Sequence, residues 1–347
     1  MRKQTNKIQL SNKSGIGAGG ILEYGGGTPI RVQSMLNMPP DDIKANLEQA
    51  KKLEKLGCEL IRFSVNSKDA LPTLTALLEN TLVPIVADIH FNSDIAIASI
   101  EAGVAKVRIN PGNIGGLEKT AEIAKVAKNR GCAIRVGVNA GSTEESLVDI
   151  AFKYVEFLED KCKFTDVIVS LKSSDLRENI NSNLDFSKKC PHIPLHLGIT
   201  EAGCLEQGLV KSSAGLAILL EAGVGDSIRY SLTDDPCYEV KAGYDLLNAL
   251  DLRHHGVQII SCPTCARTEV DLIKIAREVE ARLVSVDRPI KVAVMGCVVN
   301  GPGEAASADI GICCGKGSGV IIKDGNVIRK VSEDKLVDCL IDEIERL

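Results

Sequence analysis

From about residue 28 to residue 250 one pattern recurs along the chain. A short run of β-branched and apolar residues is followed by a polar or glycine turn and then by a stretch with apolar residues at helical spacing. This is the periodicity of a repeated strand–helix unit. Eight candidate strands follow, near residues 30–35, 60–65, 84–89, 105–110, 133–138, 167–172, 194–199 and 227–232. Between them, residues 42–56, with Ile43, Leu47, Ala50, Leu53 and Leu56 on one face, and residues 117–129 read as one-sided helices. Eight such units close into a (β/α)8 TIM barrel, an α/β fold of about 250 residues. The alternative, an open doubly wound sheet, needs a reversal of strand order of which the pattern gives no sign.

The glycines before this region, at positions 15, 17, 19, 20 and 25–27, precede a strand instead of linking a strand to a helix. They fit a hairpin or turn better than a phosphate loop. The repeat stops at the polar stretch 252–256, so the expected domains are residues 1–253, a substrate-binding barrel, and residues 254–347, a small α/β module that carries the cysteine motifs. Its expected elements are a strand at 257–260, a helix at 269–283, a strand at 290–295, further short strands and a final helix at 333–346.

Strands buried on both faces in a parallel sheet usually read as unbroken Val, Ile and Leu. Four of these strands instead carry an apolar–Arg–apolar–small pattern, around Arg62, Arg108, Arg135 and Arg229, and Lys172 ends another. Alternation sends each cation to the face opposite its apolar neighbours, into the barrel and toward its C-terminal mouth. Several cations gathered there call for an anion, and Arg is suited to gripping phosphate with two parallel hydrogen bonds. Pairing with barrel carboxylates such as Asp88 is the plainer reading for any one of them. Gln33, Ser34, Asp88, His90, Asn110, Asn139, His196 and Glu201 add polar groups near strand ends.

The net charge of -5, with no Trp and 3% aromatic residues, argues against a nucleic-acid partner. No apolar run reaches membrane-spanning length, and the polar first ten residues do not resemble a signal peptide, so a cytoplasmic protein is expected. In a reducing compartment the twelve cysteines are free thiols or metal ligands rather than disulfides. Cys58, Cys132, Cys162 and Cys190 sit among apolar neighbours and read as core residues.

Cys262 and Cys265 form a CxxC ahead of a helical stretch, and Cys297 closes an apolar strand before the Gly- and Pro-containing turn that leads to Glu304. Three thiolates and a carboxylate suit a 4Fe-4S cluster with one distinct iron. A structural zinc site would ordinarily close with a fourth Cys or His. Cys313 and Cys314 are the alternative source of a fourth thiolate. An exchangeable carboxylate on an electron-transferring iron points to reductive C–O cleavage.

These residues resemble the 4-hydroxy-3-methylbut-2-en-1-yl diphosphate synthase family over nearly the whole chain. The most specific stretches are Gln33-Ser34-Met35, Ala87-Asp88-Ile89-His90, Arg108-Ile109-Asn110-Pro111-Gly112-Asn113, Gly137-Val138-Asn139-Ala140-Gly141, Gly198-Ile199-Thr200-Glu201-Ala202-Gly203, residues 261–265 and residues 295–304. The resemblance implies a TIM barrel followed by an iron-sulfur domain. It also implies reductive opening of 2-C-methyl-D-erythritol 2,4-cyclodiphosphate in isoprenoid biosynthesis, with electrons from flavodoxin or ferredoxin. Carried over to this chain, Arg62, Arg108, Arg135, Lys172 and Arg229 would hold the diphosphate, and Glu201 would donate a proton. Cys262, Cys265, Cys297 and Glu304 would hold the cluster, in a homodimer whose cluster domain caps the partner's barrel. The competing readings are a phosphate- or pterin-binding barrel transferase with a structural zinc module, and an electron carrier without catalysis.

Overall fold

Two short stretches that alternate inward apolar and outward polar residues pair as an antiparallel hairpin, β1 (Ile8–Leu10) and β2 (Leu22–Tyr24), with Ile8 opposite Tyr24. The computed structural model that shows this describes residues 2–142, 145–284, 286–297 and 301–347. The glycine-rich segment between the two strands is the turn its composition suggests. Gly15 adopts φ +76°, and an added Cβ would lie 1.7 Å from the Leu78 carbonyl oxygen, so neither the backbone conformation nor the space admits another residue.

Contacts divide the chain into two units, Met1–Arg253 and His254–Leu347. In the first, eight parallel strands follow the hairpin: β3 (Arg31–Met35), β4 (Leu60–Ser64), β5 (Ile85–Asp88), β6 (Lys106–Ile109), β7 (Ala133–Asn139), β8 (Val167–Lys172), β9 (His196–Leu197) and β10 (Ser227–Ile228). They neighbour one another in the order β8-β7-β6-β5-β4-β3-β10-β9, and a parallel bridge from Val169 to Leu195 closes the ring. All eight strands expected from the pattern form, the last two shortened to two residues each.

The eight barrel helices are α1 (Ile43–Lys55), α2 (Leu71–Asn80), α3 (Ser93–Ala102), α4 (Gly116–Arg130), α5 (Leu147–Glu156), α6 (Leu176–Lys189), α7 (Leu205–Glu221) and α8 (Pro236–Ala249). Asp42, Asn92, Asp175 and Asp235 each cap a helix by accepting a hydrogen bond from a first-turn amide, a contact worth about 1 kcal/mol. The helices bury Leu53, Leu74, Ile100, Ile123, Leu216 and Leu247 against outward strand residues such as Ile61, Phe63, Val107 and Val136. Ile8, Leu10 and Tyr24 of the hairpin pack on Leu60, Val86, Ala133 and Ile168 and so floor the barrel. Strand alternation leaves the charged residues facing the lumen above that floor.

The second unit is a five-stranded sheet in the order β11 (Val257–Ser261), β12 (Ile290–Met295), β13 (Ile310–Gly315), β14 (Ser318–Lys323) and β15 (Asn326–Ser332), with the first two pairings parallel and the last two antiparallel. Helices α9 (Leu272–Leu283) and α11 (Leu336–Glu345) cover one face through Leu272, Val279, Leu336 and Leu340, while the short α10 (Gly301–Ala305) lies on the other against Met295 and Cys313. The first of these helices starts three residues later than its apolar pattern suggests. Asp271 caps it by accepting from the Lys274 amide at 3.1 Å, and residues 266–270 are left as turn and loop.

Candidate functional site

The inward faces of β4, β5, β6, β7 and β8 carry Arg62, Asp88, Lys106, Arg108, Arg135 and Lys172, and Arg229 follows β10. Asp88, wholly buried, is the shared anion of this group. Its carboxylate lies 2.6 Å from Arg62 Nη2, 3.0 Å from His90 Nε2 and 3.3 Å from Arg108 Nη1. Burial alone would raise its pKa, but Arg62, the His90 hydrogen bond and Arg108 outweigh burial and hold it well below the usual carboxylate range. The second anion is Glu239, 2% exposed, on α8. It takes Arg229 through both oxygens, Nε at 3.1 Å and Nη2 at 3.0 Å, and also accepts from the Ser34 hydroxyl at 2.8 Å and the Leu232 amide at 3.1 Å.

Arg135 and Lys172 have no carboxylate partner among the described residues, and Arg135 Nε and Nη1 are buried with no hydrogen-bond partner. Burial first, and then neighbouring cations, lowers the pKa of both side chains well below its ordinary value. Two glycines on the lumen wall make room for these long side chains. A Cβ on Gly137 would stand 2.5 Å from Arg108 Nε, and one on Gly198 would stand 2.5 Å from Lys172 Nζ. Arg108 also donates to the Gly137 carbonyl at 3.0 Å.

His196 is fully buried, and its Nδ1 is 2.7 Å from the Ser227 hydroxyl, which is 2.6 Å from the Tyr24 hydroxyl of the floor. Its Nε2 has no hydrogen-bond partner among the described residues. Burial and then Arg135, Lys172 and Lys106 hold the ring neutral, well below its ordinary pKa. Asn110, expected to touch ligand, shapes its own turn by accepting from the Gly112 amide at 3.3 Å. Asn139 ends β7, half-buried. Glu201 is exposed in the loop after β9 at φ +52°, a left-handed backbone that costs a non-glycine residue roughly 1–2 kcal/mol.

In the second unit Cys262 follows β11, and the parallel pairing of Ser261 with Val294 sets it beside the end of β12. The Gly296 amide donates to Cys262 Sγ at 3.3 Å, and Cys297 follows one residue on, 8% exposed. Cys265 is exposed, with its amide donating to Thr268 Oγ1 at 3.1 Å. Hydrogen bonding by the backbone and then the side chain of Arg267 lowers its thiol pKa. Glu304 is exposed on α10. The turn expected to carry it back toward Cys297 passes through residues 298–300, which lie outside the described residues. Among the described residues no three Cys, His, Asp or Glu side chains are already gathered in ligating geometry. Cys313 and Cys314 are buried in the sheet, and burial pushes both thiols up to about 12, the behaviour of core cysteines. Cys58 and Cys132 are likewise buried and pushed up to about 12.

The patterns singled out Arg62, Arg108, Arg135 and Arg229 but passed over three residues of the same lumen. Lys106 stands two positions before Arg108 on the same strand face, a signal open to the alternation argument. Glu239 lies on a helix, where a carboxylate ordinarily faces water. Ser227 takes its place from the Tyr24 hairpin, which nothing local predicts.

No helix among the described residues is long and apolar enough to cross a membrane. The barrel resembles solved dihydropteroate synthase from Xanthomonas albilineans, at TM-score 0.51 and 14% identity over 71% of this chain and 98% of that one. It also resembles the spore coat polysaccharide biosynthesis protein spsE from Bacillus subtilis, at TM-score 0.53 and 10% identity over 71% of this chain and 73% of that one. Such likenesses establish the barrel and nothing of its chemistry. Curated relatives span the whole chain. The 4-hydroxy-3-methylbut-2-en-1-yl diphosphate synthase (flavodoxin) of Clostridium tetani is 48% identical over 100% of this chain and 99% of its own length, and that of Aquifex aeolicus is 44% identical over 100% and 97%. Residues 16–244 match the GcpE TIM-barrel domain and residues 258–346 match the GcpE protein C-terminal domain. The chain therefore belongs to the GcpE family.

Proposed function

We infer that this chain is an iron-sulfur oxidoreductase that opens 2-C-methyl-D-erythritol 2,4-cyclodiphosphate reductively to 4-hydroxy-3-methylbut-2-en-1-yl diphosphate. The observation that carries the reading is the excess of lumen cations over their two carboxylate partners, with Nε and Nη1 of the buried Arg135 lacking a hydrogen-bond partner among the described residues. Buried charge of one sign is costly until a counter-charge arrives, and a diphosphate supplies several. Arg135 and Lys172 are the first contacts for it, while Arg62, Arg108 and Arg229 hold Asp88 and Glu239 and turn part of their donor sets to the ligand. His90, paired with Asp88 and half-exposed, and Asn110, Asn139 and His196 complete the polar wall.

The donor set Cys262, Cys265, Cys297 and Glu304 fits an iron-sulfur cluster. Cys262 and Cys297 share the end of two paired strands, a backbone amide already donates to one sulfur, and Cys265 carries a lowered thiol pKa. We assign these four residues as ligands of a 4Fe-4S cluster in a domain spanning residues 254–347, with residues 1–253 binding substrate. When bound, the cluster supplies single electrons and a Lewis-acidic iron. Overall, one ring C–O bond to phosphate breaks and one hydroxyl leaves as water, consuming two electrons and two protons. The lumen cations take up the charge of the freed diphosphate end, and we assign Glu201, exposed in the loop after β9, as the donor of a proton to the leaving oxygen. The electrons come from flavodoxin, as the relatives' names indicate for them, or from ferredoxin. The enzyme works as a cytoplasmic homodimer.

Anaerobic assay with a chemical reductant tests this. Formation of the linear diphosphate from the cyclic one, with Arg135→Ala losing most of kcat/KM, is the expected result. Absence of turnover by an iron-loaded protein would refute it.

A further inference from the structure

Lys106 is wholly buried on the inward face of β6, two residues and so roughly 7 Å deeper in the lumen than Arg108. Its Nζ has no hydrogen-bond partner among the described residues. The charged and titratable groups around it are Arg135 and Cys132 at β7, Arg62 on β4, His196 on β9 and Tyr24 of the floor hairpin. Two of these are cations, His196 is held neutral, and Cys132 is a buried thiol pushed up to about 12. Compensation comes from the face of the Tyr24 ring, whose centroid lies 5.0 Å from Nζ. A cation–π contact offsets only part of what an ammonium loses on leaving water. Lys106 is thus a base enclosed with cations and a neutral ring, one layer below Arg108 and its neighbour Arg135, whose Nε and Nη1 also lack a hydrogen-bond partner among the described residues.

We propose that Lys106 is an uncharged amine in the free enzyme and takes up a proton when a diphosphate binds in the lumen, so that the floor of the barrel adjusts its charge to that of the ligand. This rests on reading the lumen as the diphosphate site. The anion placed against Arg135 and Arg62 reverses the field that keeps Lys106 neutral, an opposite charge favouring the charged form of its neighbour as a like charge disfavours it. Burial and then Arg135 and Arg62 depress the lysine, which agrees with this geometry. By linkage, ligand affinity contributed by this residue rises as pH falls, by up to about tenfold per pH unit, while Lys106 is neutral in the free enzyme and protonated in the complex. Substitution of Lys106 removes that gain. The lysine is a positioning and charge-matching residue that favours ligands of higher negative charge.

Titration calorimetry of inorganic pyrophosphate into the anaerobically purified full chain and into Lys106→Met, each in two buffers of different ionisation enthalpy at about pH 8, counts the protons taken up. Protons exchanged by pyrophosphate itself enter both titrations alike. Wild type is expected to take up about one proton more per bound pyrophosphate than the variant, and equal counts would overturn the proposal. Pyrophosphate binding to neither protein would overturn the diphosphate reading of the lumen first. If Lys106→Met does not fold, the affinity of the wild type for sulfate, whose charge is constant between about pH 6 and 9, reads the same coupling: tightening as pH falls supports it, and a flat profile overturns it.

Discussion

The Asp88 carboxylate stands 2.6 Å from the Arg62 guanidinium with no exposed surface of its own. Arg108, at 3.3 Å, shares the same anion. One carboxylate thereby keeps two arginines of a crowded cationic lumen in place. Replacing Asp88 with Asn leaves both with no full counter-charge, which costs about 3–5 kcal/mol for a buried pair. Urea unfolding of Asp88→Asn is expected to show that loss, and a change within ~0.5 kcal/mol would show that the pair contributes little.

The same carboxylate sets an acid limit. Its folded pKa is depressed, so its contribution is fully present above the unfolded value near 3.9 and is lost as pH falls through the lower folded value. The stability gap between wild type and Asp88→Asn should therefore narrow as pH drops below about 4. Thermal unfolding at stepped pH checks this, and a constant gap would contradict it.

Gly137→Ala places a methyl group 2.5 Å from Arg108 Nε. Arg108 must move, loosening its hydrogen bond to the Gly137 carbonyl and its pairing with Asp88. Overpacking of this kind costs about 1–3 kcal/mol in stability. A rise in KM for the cyclic diphosphate of roughly tenfold, equivalent to about 1.4 kcal/mol, is expected as well. Steady-state kinetics with unchanged KM would place Arg108 away from the ligand.

Glu304→Ala should leave the three thiolates able to assemble a cluster while turnover falls by roughly 100-fold, the scale of losing one catalytic group. Iron content and kcat measured on the same preparation separate the two effects. Unchanged kcat would remove Glu304 from the reaction.

Much of this architecture is legible in the sequence because the barrel states itself twice, in strand spacing and in arginines alternating with Val and Ile. Arg62, Arg108, Arg135 and Arg229 announce themselves because a charge in a buried parallel strand has no ordinary reason to be there. The pairing partners were harder to see. Asp88 sits in a strand and is a visible candidate, but Glu239 reaches Arg229 from α8, the helix that follows β10 in the same βα unit, and only closure of the barrel adds the Ser34 hydroxyl of β3 to the same carboxylate. The link from His196 through Ser227 to Tyr24 depends on a hairpin more than 170 residues away from the histidine in sequence. Local periodicity carries no record of such a distance. The start of α9 differs from the expected residue 269 because apolar spacing extends to Val270, ahead of the point where the Asp271 cap begins the helix.

Iron analysis coupled to single-turnover chemistry of the anaerobically purified protein tests the central claim most directly. The predicted result is a brown protein with about four irons per chain, which converts 2-C-methyl-D-erythritol 2,4-cyclodiphosphate to the linear diphosphate on reduction and loses its iron in Cys262→Ser and Cys297→Ser. A colourless zinc protein, or an iron-loaded one that leaves the cyclic diphosphate intact, would contradict it.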